Sequence, residues 1–289
     1  DVDCTKEVNR TGDTCIGIAI GAGTDHRVDD CSFYGHVGNE LTIGISVDGS
    51  ATTTPRIGFE NDYRNVTTRV SGTSQSRPEV FPQGRLTLST GVPVTSSNVT
   101  AATTIYYAPY AGNRLPIYIG GEFRTFMFSQ LSNATAQSST GKAGPAVVAN
   151  NSNYDLFVWD DAGTLRLTRG PLWTSDTGRG TGAGTTELIL VEGVYLNAVA
   201  ITNGPAAQRG TYVGTVRSDG SAQINDSMAK RHVWNAYNRV DRPMQVLEAT
   251  DSWSYSTATW RQANGAAGNQ LEMVRGLNED SVNCVVNVN

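Results

Sequence analysis

The stretch "YDLFVWDDAGTLRLT", residues 154–168, decides the fold class of this chain. Residues typical of strands stand on both sides of "DDAG" (160–163), which has the composition of a tight turn. Two such runs joined by a short turn predict an antiparallel hairpin. Similar β-rich runs, each bounded by turn residues, follow one another at 84–95, 103–121, 122–131, 187–199 and 209–224. Because no helical intervals separate them, they predict an all-β fold, an antiparallel β-sandwich of jelly-roll type.

The first part of the chain differs from the rest. "CIGIAIGAG" (15–23) and "LTIGISVDGS" (41–50) alternate apolar and small residues, which is typical of strands. The segment "SRPEVFPQG" (76–84) carries two prolines and a glycine and indicates a boundary. We therefore expect a smaller β-rich domain over 1–83 and the β-sandwich over 84–289. No repeat of 20–50 residues is visible, which argues against a solenoid.

One segment has helical rather than strand periodicity. In "NDSMAKRHVWNAYNRVDRP" (225–243), apolar or small residues recur at three- to four-residue spacing, a capping residue precedes them and Pro243 follows. This pattern predicts a helix over about residues 226–240.

Composition argues against several classes of function. The formal net charge is −5, charged residues make up 17% of the chain and no run of Lys or Arg occurs. Nucleic-acid binding needs a basic footprint, so we expect no nucleic-acid partner. No stretch approaches the ~20 apolar residues that cross a bilayer, so we expect no membrane partner. The chain starts at "DVDCTKEVNR", without Met, and is expected to be processed or incomplete there.

The aromatic residues concentrate in "WNAYNRVDRPMQVLEATDSWSYSTATWRQANG" (234–265), which holds three of the five tryptophans. We expect strands at "MQVLEAT" and "DSWSYSTATWRQA" and a return strand at "QLEMVRGL". The rings then have three alternatives: core packing, an interface between copies, or an exposed platform that stacks on sugar rings. The candidate interface or glycan-stacking residues are Trp253, Tyr255, Trp260, Arg239, Arg242 and Arg261.

Motifs of catalysis and metal binding are weak. The three histidines are His26, His36 and His232, and only His26 lies among several carboxylates, in "TDHRVDDC" (24–31). Such a loop is more typical of a solvated turn, and no nucleophile elbow or metalloprotease motif occurs. We expect no catalytic residues, no metal and no cofactor. A polysaccharide-cleaving enzyme, with an acid pair such as Asp160 and Asp161, is a weaker alternative.

The chain has four cysteines at spacings that match no zinc site. Candidate disulfide residues are Cys4, Cys15, Cys31 and Cys284. Cys4–Cys15 and Cys15–Cys31 are both plausible bridges. Cys284 then pairs with the N-terminal region, pairs with another chain or stays free. Four free buried thiols are the alternative.

Several longer stretches resemble a known module. They are "RLTLSTGVPVTSSNVTAATTIYYAPYAGNRLPIY" (85–118), "NYDLFVWDDAGTLRL" (153–167), "GPLWTSDTGRGTGAGTTEL" (170–188), "RGTYVGTVR" (209–217), "KRHVWNAYNRVDRPM" (230–244) and "DSWSYSTATWRQANG" (251–265). Together, over about residues 84–283, they resemble a module of tailed-bacteriophage virion proteins of the tail-fibre, head-fibre or decoration type.

The resemblance implies a function. It implies a non-enzymatic virion structural protein on the particle exterior that assembles as a homo-oligomer, a trimer being the expected state. Its partners would be its own copies and other virion proteins of the capsid, collar or tail. Residues 1–83 would form the attachment region. The alternative is a receptor-binding fibre domain that recognises host-surface glycan.

Overall fold

The structure is a computed structural model that describes residues 16–20, 27–28, 31–34, 41–47, 56–57, 62–64, 66–71, 75–76, 80–220 and 222–278. Its internal contacts divide the chain into two compact units. Unit 1 comprises Asp1–Glu79 and Tyr118–Thr125, and unit 2 comprises Val80–Ile117 and Phe126–Asn289.

The described residues of the N-terminal segment form eight short strands. They are β1 (Ile16–Ile20), β2 (Arg27–Val28), β3 (Ser32–Tyr34), β4 (Leu41–Val47), β5 (Arg56–Ile57), β6 (Asp62–Arg64), β7 (Val66–Ser71) and β8 (Gln75–Ser76). Strands β1 to β5 each pair in parallel with the strand three places later in the chain: the sheets are β1-β4-β7, β2-β5-β8 and β3-β6. This is the strand order of a parallel β-solenoid with three strands in each turn.

The sequence-based rejection of a solenoid was therefore wrong for these strands. Ile18 lies beside Ile45, and Ile45 lies beside Val70, so apolar positions stack in register from turn to turn. Arg56, however, pairs with Gln75, and fewer residues separate these two than separate Ile18 from Ile45. The number of residues in a turn is therefore not constant. Because the turns differ in length, no fixed sequence period marks them. Ile45 is fully buried.

Unit 2 contains most of the remaining strands. They are β9 (Gly84–Thr87), β10 (Val99–Ala102), β11 (Thr104–Pro109), β12 (Arg114–Ile119), β13 (Glu122–Met127), β14 (Leu131–Ala134), β15 (Asn153–Asp161), β16 (Thr164–Leu172), β17 (Leu188–Val191), β18 (Val194–Asn197), β19 (Thr211–Arg217), β20 (Ile224–Asp226), β21 (Lys230–Arg231), β22 (Val233–Asn235) and β23 (Glu272–Met273). Helical structure in the described residues is limited to the 3₁₀ turns Thr140–Lys142 and Ala263–Gly265. The all-β prediction is confirmed, and the jelly-roll topology stays a prediction.

The largest sheet of unit 2 has six strands. Its order is β16-β15-β19-β18-β17, and β22 pairs with the C-terminal half of β19. The hairpin predicted from "DDAG" is present as β15–β16, with Asp161 opposite Thr164. Smaller antiparallel sheets, β14-β11-β9 and β10-β20-β21, accompany it, and β23 adds to β21 in parallel. The sheets of unit 2 are thus largely antiparallel, as expected.

Aromatic rings form the core beside this sheet. Phe157, Ile201 and Tyr212 are buried together, and the half-buried rings of Tyr195 and Trp234 pack against them. The Tyr212 ring centroid lies 5.9 Å from that of Phe157, 6.3 Å from Trp234 and 6.4 Å from Tyr195. Of the three tryptophans in residues 234–265, Trp234 is therefore the one that packs against the core.

The helix predicted over 226–240 is wrong. This segment forms β20, β21 and β22, and Val233, Trp234 and Asn235 pair with Val216, Thr215 and Gly214 of β19. The side chain of Asn235 accepts a hydrogen bond from Leu86 N at 2.6 Å and donates to Leu86 O. Val, Trp, His and Asn are weak helix formers, and pairing with two neighbouring strands outweighed the helical spacing.

The strands predicted at "MQVLEAT" and "DSWSYSTATWRQA" are also absent, since residues 236–262 contain no regular element. The predicted return strand is reduced to the two residues of β23. In the described part of the chain, none of the helical segments has the length and apolarity to cross a bilayer.

Candidate functional site

The most exposed aromatic side chain of the described residues, Trp260, lies on one irregular loop, residues 248–270, which we call the arm. Its two ends are tied together, because the Asn269 side-chain amide donates to the Glu248 carboxylate. Within the arm, Tyr255 donates to Gln262 O and accepts from Gly265 N at 2.8 Å. The hydrogen bonds that residues 249–268 make with described residues all stay inside the arm.

The arm carries the predicted aromatic trio in exposed positions. Trp260 is fully exposed, and Trp253 and Tyr255 expose 44% and 43% of their surface. The Arg261 guanidinium stacks over the Tyr255 ring at 4.8 Å from its centroid. Burial in the core of the same chain is therefore excluded for these three rings. An interface between copies and a glycan platform remain as alternatives.

The other two candidate arginines lie outside the arm and contact their own unit. Arg239 stacks on the Trp234 ring at 4.7 Å from its centroid. Arg242 donates to Asp226 Oδ2 at 3.1 Å and to Thr95 Oγ1 at 3.2 Å. The structure thus places Arg261 on the Tyr255 ring of the arm and places Arg239 and Arg242 elsewhere.

A second feature, a polar cleft of about 920 Å³, opens at one end of the six-stranded sheet. Four lining residues form a row across neighbouring strands. Trp173 N donates to Asn153 O at 3.0 Å, Asn153 pairs with Arg217, and Arg217 N donates to His232 O at 3.0 Å. The sequence analysis missed this cleft because its residues come from six separate parts of the chain.

One lysine of the cleft pairs with two of its carboxylates. Lys230 Nζ lies 2.8 Å from Asp219 Oδ2 and 3.6 Å from Glu272 Oε2. The hydrogen bond between Lys230 and Asp219 lowers the pKa of the Asp219 carboxyl below its ordinary value. It also raises the pKa of the Lys230 ammonium group above its ordinary value. Burial lowers the pKa of His232 despite Glu272, whose Oε2 lies 3.4 Å from His232 Nε2.

This geometry does not favour acid–base hydrolysis. A glycosidase acid needs a raised pKa and a second carboxylate that faces it across the sugar. Here the pKa of Asp219 is lowered, and Lys230 contacts both acids. Asp160 and Asp161, the acid pair considered in the sequence, lie at the end of the β15–β16 hairpin, where Asp160 caps Gly163 N at 2.8 Å. Among the described residues, no group of three or more His, Cys, Asp or Glu could hold a metal ion.

The buried centre beside the cleft is an ion pair. Asp155 is fully buried, and its carboxylate accepts from Arg179 Nε at 2.6 Å, from Thr215 at 2.7 Å and from Thr186 at 3.0 Å. The Arg179 guanidinium also stacks on the Trp173 ring, 4.3 Å from its centroid. The single carboxylate inside the apolar run "NYDLFVW" was the sequence signal for this site.

The structure describes one of the four candidate disulfide cysteines, Cys31. Cys31 is buried, and its disulfide stays a prediction. Cys4, Cys15 and Cys284 lie outside the described residues, as do His26 and His36. The connectivity therefore stays a prediction.

In comparisons with known proteins, no family model, no curated protein and no solved structure matches this chain.

Proposed function

We propose that this protein is a non-enzymatic structural component of the exterior of a tailed-bacteriophage particle, where it works as a homo-oligomer, with a trimer as the expected state. The resemblance of about residues 84–283 to virion modules supports the setting, and capsid, collar or tail proteins are the further partners it implies. The β-rich fold agrees with a mechanical role, and so does the pairing of Lys230 with both Asp219 and Glu272 in the cleft.

The observation that carries the oligomeric part is the arm. An indole side chain buries roughly 200 Å² when it is covered. At about 25 cal/mol per Å², covering Trp260 alone would contribute about 5 kcal/mol before the entropy of association is subtracted. A second copy that covers the arm removes this exposed apolar surface from water. Closed symmetric association would do so for every copy at once.

Light scattering after size-exclusion chromatography tests the proposal. We expect the full chain to have three times the chain mass of 30.8 kDa, and we expect Trp260→Ser to shift it toward the monomer. Met127→Ser is the matched control, since Met127 is 71% exposed and lies outside the arm. A wild-type monomer at every concentration would overturn the proposal.

The exposed trio also favours a second candidate, recognition of host-surface glycan. Sugar rings stack on exposed aromatic faces, and Trp253, Tyr255 and Trp260 present such faces on one loop. On a printed glycan array, wild type and Met127→Ser should then bind the same sugars. Trp260→Ser should lose this binding while it stays oligomeric. Absence of binding by the wild type rejects this candidate and leaves the structural one standing.

A further inference from the structure

The six-stranded sheet ends in a strand with an apolar outer edge. Strand β17 is the last strand on its side and pairs only with β18 among the described residues. Its sequence is Leu-Ile-Leu-Val, and Leu190 exposes 55% of its surface. Soluble proteins usually protect such an edge with charge, proline or a covering element.

The backbone of this edge is oriented for strand addition. The two-residue turn Glu192-Gly193 joins Val191 to Val194, and Leu190 lies opposite Tyr195. Tyr195 N donates to the Tyr237 hydroxyl at 3.2 Å, so it points away from β17. In an antiparallel pair, residues alternate between facing the partner and facing outward. Leu190 therefore directs its N–H and C=O to the open edge.

The same unit contains an extended segment that lies in no sheet, Met244–Glu248 ("MQVLE"). Exposure alternates along it, with the even-numbered residues half-buried and the odd-numbered residues exposed, as in a strand. Leu247 exposes 80% of its surface. The segment is tied to its own unit by Gln245 N, which donates to Met228 O at 2.9 Å.

We propose that Met244–Glu248 of one copy adds as a strand to the β17 edge of a neighbouring copy. This inference rests on the proposed homo-oligomer and names the contact that builds it. In the single chain, the segment is held beside β20 and β21 by Gln245, and β17 has no second strand neighbour among the described residues, so we assign the open side of β17 to the segment of another copy. Strand addition pairs the outward backbone groups of both elements and covers Leu190 and Leu247.

The contact joins two different surfaces, so it is heterologous. Such contacts close into a ring when the rotation between copies permits, and three copies would give the proposed trimer. The arm follows the added segment directly in the chain, which would place its aromatic rings at the same junction between copies.

Mixed cysteine variants test the contact. Copies with Leu190→Cys, labelled with ¹⁵N, are mixed with unlabelled copies that carry Leu247→Cys, dissociated, reassembled and oxidised. Peptide mass spectrometry should find a 190–247 disulfide between a labelled and an unlabelled chain. Val147→Cys replaces Leu190→Cys in the control, because Val147 is equally exposed and lies outside both elements, and it should give no such link.

Charge variants give a second readout. A lysine at an edge position disfavours strand addition, so we expect Leu190→Lys and Leu247→Lys each to weaken self-association by about tenfold or more. Val147→Lys should not. If both lysine variants associate like the wild type and the 190–247 link is missing, the strand addition is wrong but the homo-oligomer stands. If the wild type is monomeric, both ideas fall.

Discussion

At the scale of single residues, the Asp155–Arg179 pair shows how a buried charge organises unit 2. Asp155 is the third residue of β15 and is fully buried, yet it accepts hydrogen bonds from a guanidinium and two threonine hydroxyls. Burial by itself would lower the pKa of Arg179, but the charge of Asp155 and the hydrogen bonds to Asp155 and Tyr212 together raise it above its ordinary value. Arg179 also donates to Gly276 O, so one residue connects the 174–186 loop, the sheet and the C-terminal segment.

Removal of Arg179 should therefore be costly. Arg179→Met leaves the Asp155 carboxylate buried without its cation, and we expect the free energy of unfolding to fall by about 3 kcal/mol. Arg166→Met is the matched control, because Arg166 pairs with Asp161 at 3.3 Å where both are partly exposed. Its loss should be under about 1 kcal/mol. Urea unfolding of both variants measures the difference, and equal losses would show that the buried pair has no special role.

At the scale of elements, strand β19 needs glycine at one position. Gly214 lies at a break in the β15–β19 register, opposite Leu156, with a φ of 154°. A Cβ there would lie 2.8 Å from Leu86 Cδ1 and would overlap the carbonyl oxygen of Trp234 in β22. Glycine therefore permits the close approach of β22 that replaced the predicted helix.

We expect Gly214→Ala to lower the free energy of unfolding by about 2 kcal/mol, since a backbone carbonyl cannot move aside without breaking the β19–β22 pairing. Gly268→Ala is the control, because a Cβ there meets no atom within 4 Å. It should change stability by less than about 0.5 kcal/mol. Thermal unfolding followed by circular dichroism compares the two, and a neutral Gly214→Ala would contradict the packing described here.

At the scale of the whole molecule, unpaired surface is the feature that needs an explanation. The described part of unit 2 leaves an apolar strand edge, an extended segment outside any sheet and an arm with an exposed tryptophan. Each of these features would be covered if the molecule is completed by other copies. Unfolding of an oligomer depends on concentration by mass action. The wild-type Tm should then rise with protein concentration, and the Tm of Leu190→Lys should rise less. A wild-type Tm independent of concentration would count against association.

The sequence by itself determined the all-β class and the β15–β16 hairpin, because alternation and turn chemistry act between residues close in the chain. It did not reveal the parallel pairing of residues 16–76, since the partners are distant and the turns between them differ in length. Nor did the sequence distinguish a strand from a helix at 233–235, where pairing with β19 makes the segment a strand. Likewise, only the tertiary structure shows that Trp260 is exposed whereas Tyr212 is buried. Both are aromatic residues in β-rich stretches, and only the elements packed around them distinguish a core ring from one that is free to meet another molecule.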